Sequence, residues 1–277
     1  MKNPARFIAA ALCTVTALWG APALGEQPIF DEMPRWNDGW GMQVLQEYRT
    51  REFVVAEDQP GAGTRYDEDV HLTHVQGVYT WAKEVRVTLK QPFVLHGVRT
   101  VPDGQGRLVR QTDREFAPLT VAVPLKSYFN LDGRSGSWTL APQLRAPWTG
   151  EDDYDVYRNV FGGGLGLGYE TETFRYHLGG SASAWYFAQG RPARFSAEVG
   201  VGVNIQFLGS SGHLKWKTGV EYRTDESLEI DAGPTLYWKF TDTLHGQLRW
   251  RHGFYDQKPE GGSVLGDSFR AGLGVVY

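Results

Sequence analysis

From residue 195 to residue 240 the chain alternates between apolar side chains and charged or minimal ones. Phe195, Ala197, Val199, Val201, Val203, Ile205 and Phe207 share one parity, while Ser196, Glu198, Gly200, Gly202, Asn204 and Gln206 hold the other. Leu214, Trp216, Thr218, Val220 and Tyr222 repeat the pattern against His213, Lys215, Lys217, Gly219, Glu221 and Arg223. Leu228, Ile230, Ala232, Pro234, Leu236, Trp238 and Phe240 repeat it again. Period two is the period of a β-strand, whose successive side chains point to opposite faces.

The length of these strands decides between two all-β architectures. A soluble sandwich also alternates, but its strands usually run about five or six residues. Runs of about ten to fourteen residues cross a bilayer at a tilt of about 45°. Aromatic residues gather at the ends of the apolar faces, at Trp138 and Trp148, Phe195 and Phe207, Trp238 and Phe240, where a headgroup girdle would lie. The sequence therefore predicts a transmembrane antiparallel β-barrel of about 12 strands. These are Trp40–Glu52, His71–Trp81, Glu84–Val94, Glu115–Phe129, Ser137–Trp148, Asn159–Glu170, Phe174–Ala188, Pro192–Phe207, Gly212–Thr224, Ser227–Phe240, Thr243–Phe254 and Asp267–Tyr277. Pro118 and Pro124 mark bulges or edges in the fourth. An even count leaves both chain ends in the periplasm, with short turns there. Long outer loops are expected at Val54–Asp69, Leu95–Arg114, Trp148–Arg158 and Tyr255–Gly266.

The two ends of the sequence carry signals that fit this location. Lys2, Arg6, the apolar run Phe7–Trp19 and the small residues before Glu26 have the form of a secretory signal peptide over residues 1–25. Its cleavage would remove Cys13, the only cysteine, and shift the net charge from −4 to −6. Residues 26–39 then form a periplasmic N-terminal segment before a barrel over residues 40–277. The last strand alternates Phe269, Ala271, Leu273, Val275 and Tyr277. That resembles the C-terminal signal read by the bacterial outer-membrane assembly machinery. The expected partners are that machinery, outer-membrane lipid and lipopolysaccharide, and a small solute; no nucleic acid and no cofactor is expected.

The stretch VFGGGLGLGYE at Val160–Glu170 is glycine-rich without being a phosphate loop. Its glycines never meet the G-x-G-x-x-G spacing, and no amphipathic helix follows. Phe161, Leu165, Leu167 and Tyr169 share one parity, and Gly162, Gly164, Gly166 and Gly168 the other. These glycines are expected to face the interior and leave room for whatever protrudes from elsewhere.

If the apolar parity faces lipid, the interior parity carries Arg49, Arg86, Lys90, Arg145, Arg175, Lys215, Lys217, Arg223, Lys239, Arg249, Arg251 and Arg270. Its acids are Glu47, Glu198, Glu221, Glu229 and Asp231. The lumen comes out positive although the chain is negative, which favours anions in a low-dielectric wall. Arg145, Arg175, Lys215, Lys217, Glu198, Arg223, Asp231, Arg249 and Arg251 are the candidate solute-pathway residues. The structural alternative is a ladder of cross-strand ion pairs that closes the bore. Asp231 would reach Arg251 diagonally, whereas Arg249 would face Thr235, leaving it the candidate for a solute contact unless Glu198 or a loop pairs with it. Acidic runs at Glu151–Asp155 and Asp67–Asp69 are assigned to outer loops as solvated charge, with a divalent cation, or lipopolysaccharide bridged through one, as the alternative at Asp152, Asp153 and Asp155.

An enzymatic barrel would need a nucleophile beside a base. His177, Ser181 and Ser183 share the lumen face, but strand residues four apart lie about 13 Å apart. No G-x-S-x-G or H-E-x-x-H occurs, and the histidines lack metal-ligand spacing. No enzymatic activity is expected.

Pro124–Trp148 (PLKSYFNLDGRSGSWTLAPQLRAPW), followed by GGGLGLGYETET, resembles the family of outer-membrane proteins linked to phenol meta-pathway degradation. The resemblance extends to the leader and the C-terminal strand, but not to Leu95–Arg114 or MPRWNDGWGMQ. It implies passage of small, often aromatic or hydrophobic compounds across the outer membrane. A narrow solute channel and a non-conducting barrel that binds through its outer loops both stay open, with a lipid-modifying hydrolase third.

Overall fold

The structure, a computed structural model, describes residues 33, 35–54, 63, 65–102, 107–131, 134–148, 160–173, 175–207, 210–257 and 264–277. They form β1 (Gly39–Val54), β2 (Arg65–Ala82), β3 (Val85–Pro102), β4 (Leu108–Asp113), β5 (Leu119–Ala122), β6 (Leu125–Leu131) and β7 (Arg134–Ala146). These are followed by β8 (Gly162–Glu172), β9 (Tyr176–Phe187), β10 (Arg194–Phe207), β11 (Ser210–Arg223), β12 (Leu228–Lys239), β13 (Leu244–Gln257) and β14 (Val264–Val276). All pairings are antiparallel, and β14 pairs with β1 from Gly41↔Val276 to Phe53↔Val264, closing the sheet. Segments β4, β5 and β6 share one place between β3 and β7, so the barrel has 12 staves. Closure removes every long sheet edge, which lipid would not tolerate.

The broken stave lies where proline interrupts the ladder. The chain leaves strand geometry at Pro118 and Pro124, and Val123 regains a backbone bond to Pro142 O at 3.0 Å. Three expected loops are shorter than the sequence suggested. β3 runs on past Val94 because Leu95 is a bulge: Leu72 pairs with Val94 while His71 pairs with His96. β13 runs on past Phe254 because a second bulge sets Ile230 against Tyr255 and Asp231 against Gly253. An extra residue inverts the parity beyond it while the backbone ladder continues, so alternation stops before the strand does. β2 starts at Arg65, and Asp67, Glu68 and Asp69 belong to it rather than to a loop. Two connections at the long-loop end are also short, 188–193 of six residues and 224–227 of four, with Gln189 and Glu226 at φ of 60° and 66°. The run Glu151–Asp155, the leader and residues 26–32 lie outside the described residues.

The facing follows the sequence parity. Val199 and Val201 are 59% and 57% exposed on the outer surface, and Leu165, Leu167, Leu214 and Trp216 are exposed with them. Charged and amide side chains such as Glu47, Gln76, Lys90, Arg145 and Arg251 are buried inside. This inverts a soluble protein and fits a lipid-facing wall. Trp40, Trp81, Trp138, Tyr176 and Tyr277 form an exposed girdle at the short-turn end, and Trp148, Tyr186, Phe195 and Phe254 one at the other.

Candidate functional site

The interior is unevenly filled. On the side of β2–β5 it is packed: Val70, Leu72, Val94 and Ala117 form an apolar cluster, and Gln43 donates to Gln76 at 2.7 Å. The opposite side holds a cavity of about 960 Å³ bounded by β6–β14 and β1. Glycines let large inward side chains cross the wall. On β10 a Cβ at Gly202 would meet Lys215 Cγ at 2.8 Å, so the Lys215 side chain passes over it. Near the long-loop end a Cβ at Gly164 would lie 2.6 Å from the Trp185 indole, and one at Gly162 would lie 2.8 Å from Phe187. With Gly162 cleared for Phe187, Gly164 clears room for Trp185. It is 2% exposed and stacks on Phe187, with the Arg145 and Arg194 guanidiniums 5.6 and 5.3 Å from the Phe187 ring.

Carboxylates organise the cations around the cavity. Glu198 binds both Lys217 and Arg251, and Arg251 Nη1 reaches Asp231 at 3.0 Å by the expected diagonal. Glu221 lies 3.0 Å from Arg194 Nε and accepts from Arg223 Nε at 3.2 Å, while Glu229 lies 3.5 Å from Arg223 and 3.6 Å from Arg51. Glu170 takes Lys126 at 3.0 Å. At the closure seam Glu47 accepts from Arg49 at 2.6 Å, Arg270 Nε at 2.7 Å and Ser268 at 3.0 Å, with His74 Nε2 at 2.8 Å. Shared partners offset the desolvation that an isolated buried charge would suffer. Even so, among the described residues the cavity wall carries ten arginine and lysine side chains against seven carboxylates. At the rim, the Lys239 ammonium donates to Asp242 at 2.6 Å and holds that exposed carboxyl below its ordinary value.

Six of the nine candidates line the cavity: Lys215, Lys217, Glu198, Asp231, Arg249 and Arg251. Arg145 is packed behind Phe187, and Arg223 is committed to Glu221 and Glu229. Arg175 lies outside the strands, exposed in the turn before β9, which begins only at Tyr176. Arg249 stands opposite Thr235 as the parity required, but it is not without a partner, and Glu198 lies within its electrostatic reach. Lys215 makes no ion pair among the described residues; its Nζ donates to His177 Nε2 at 2.9 Å, and Glu170 and Glu172 act on it from farther off. Ser183 bonds Ser196 at 2.7 Å, so the His177, Ser181 and Ser183 set is not drawn together.

Two features escaped the sequence reading. A row of flat side chains crosses the wall: His177 stacks on His213 at 6.0 Å, His213 on Tyr237 at 5.0 Å and Tyr237 on His245 at 5.7 Å. Their inward parity was visible, but their adjacency depends on the register. The second is the segment before β1, which enters the short-turn mouth. Met33 is buried, and its carbonyl accepts from Arg86 at 3.1 Å; the Arg86 guanidinium lies 4.5 Å from the Trp36 ring. Arg35 donates to Lys83 O at 2.8 Å and Pro124 O at 2.9 Å.

No protein-family model and no curated protein matches the chain. Solved structures do. An outer membrane channel from Pseudomonas putida F1 superposes with a TM-score of 0.61 at 14% identity, covering 91% of this chain and 100% of that one. The NanC porin gives 0.52 at 10% identity, covering 84% and 98%. At such identities the likeness is one of fold, and the fold of this chain is that of outer-membrane barrels.

Proposed function

We propose that the protein is a narrow channel for small solutes with a preference for anions. The observation that carries this reading is the cavity of about 960 Å³ inside the wall, in which arginine and lysine outnumber carboxylates. A low-dielectric wall of one dominant sign concentrates the opposite ion. The fold shared with an outer membrane channel and a porin supports the same reading. A non-conducting barrel is the second reading, favoured by the seating of Met33 and Trp36 in the short-turn mouth. Planar-bilayer recordings separate the two. The channel reading expects single-channel current and a reversal potential in a salt gradient that favours anions. Arg249→Glu is expected to move that potential towards cations. Absence of current through the folded barrel would overturn the channel, and unchanged selectivity would remove Arg249 from the pathway.

A further inference from the structure

We propose that the inward face of β11–β13 is a binding site for a small planar carboxylate, an anion carried on a flat aromatic or conjugated ring. The proposal rests on the reading of the lumen as a solute pathway and names what that pathway recognises. Two rows of side chains build the site. In the first, Lys215 of β11 stands directly opposite Thr235 of β12, which stands directly opposite Arg249 of β13. In the second, two residues along, His213 is opposite Tyr237 and the two rings stack at 5.0 Å and 19°. All five line the cavity.

Three observations ask for a ligand of this chemistry. Lys215 makes no ion pair among the described residues; its Nζ meets His177 Nε2 at 2.9 Å, and Glu170 and Glu172 act on it only from farther off. Thr235 Oγ1 and Tyr237 Oη are buried without a hydrogen-bond partner, although buried hydroxyls are almost always satisfied. A water can satisfy a hydroxyl, but it does not form an ion pair with the ammonium, and an anion does both. The stacked ring row then gives the anion a flat neighbour. The rows lie about 7 Å apart along the strands, the scale of one ring bearing a carboxylate. Chloride or acetate would use the first row and leave the second idle.

Titration calorimetry on the folded, full barrel in detergent tests the site, with benzoate, cyclohexanecarboxylate and acetate as probes. Benzoate is expected to bind roughly three- to tenfold more tightly than cyclohexanecarboxylate, which has its charge and bulk without its flat face. Tyr237→Leu is expected to erase that ratio while both anions still bind. Thr235→Val and Lys215→Gln are expected to weaken both, the second by at least about fivefold. Equal affinities of the two ring acids for the unaltered protein, or no benzoate binding, would overturn the proposal, and neither result depends on a variant folding. Bilayer current through the same preparation is read separately. Benzoate binding without current would refute the channel and leave the site standing. Current without a preference for the planar acid would refute the site and leave the channel.

Discussion

The same arginine placed on opposite faces of the wall should have opposite consequences. Val201 lies midway along β10, 57% exposed on the surface assigned to lipid. Ser181 lies on the neighbouring β9, directly opposite Glu198, and lines the cavity. Val201→Arg sets a guanidinium near the bilayer midplane, at a cost of about 2–4 kcal/mol. Ser181→Arg sets it in a polar cavity beside a carboxylate, where the change is about 0–1 kcal/mol. With an m-value of about 4 kcal/mol/M in guanidinium, the first variant should lose roughly 0.5–1 M in its unfolding midpoint and the second almost nothing. Reversible unfolding from phospholipid vesicles, followed by tryptophan fluorescence, measures both. Equal losses, or a larger loss for Ser181→Arg, would show that the exposed apolar surface is not the lipid face. Gly202, also inward, is no substitute as a control, because a Cβ there has no space beside Lys215.

Gly164→Ala should cost about 1–3 kcal/mol by overpacking, since the new methyl lies 2.6 Å from the Trp185 indole. A double-mutant cycle with Trp185→Leu should recover most of it, and additive losses would refute the contact. Removing residues 26–38 should raise single-channel conductance by emptying the mouth that Met33 and Trp36 occupy, and unchanged conductance would show that the segment does not restrict the bore. Unheated protein in detergent should migrate differently from boiled protein on a gel. Deleting Tyr277, whose backbone N–H bonds Trp40 O at 2.7 Å, should slow assembly in vivo, and undiminished insertion would count against its role in closure.

How much of this was readable in the chain depended on the range of the interaction involved. Wherever one face met lipid and the other water, side-chain parity was a local property, and the alternation through Phe195–Phe240 was sufficient to place the strands and assign their faces. The diagonal from Asp231 to Arg251 was legible for the same reason, because one short turn sets the register of β12 on β13. Parity failed at Leu95 and Phe254, where a bulge inverts the side-chain order and leaves the backbone ladder intact.

What only the tertiary structure decided was which inward side chains meet. The knot at Glu47 joins β1, β2 and β14, whose pairing spans almost the whole chain, and no local pattern encodes that register. The glycines of β8 announced that something large enters the barrel, but that it is Trp185 follows from the β8–β9 register. Arg249 stood out in the sequence because Thr235 cannot neutralise it. Closure of the wall placed it within reach of Glu198 and left Lys215 on the His177 ring without an ion pair. A strand determines by itself which way each side chain points, since that depends on neighbours one bond away. Who stands opposite depends on tilt, register and closure of the whole sheet, which only the folded barrel determines.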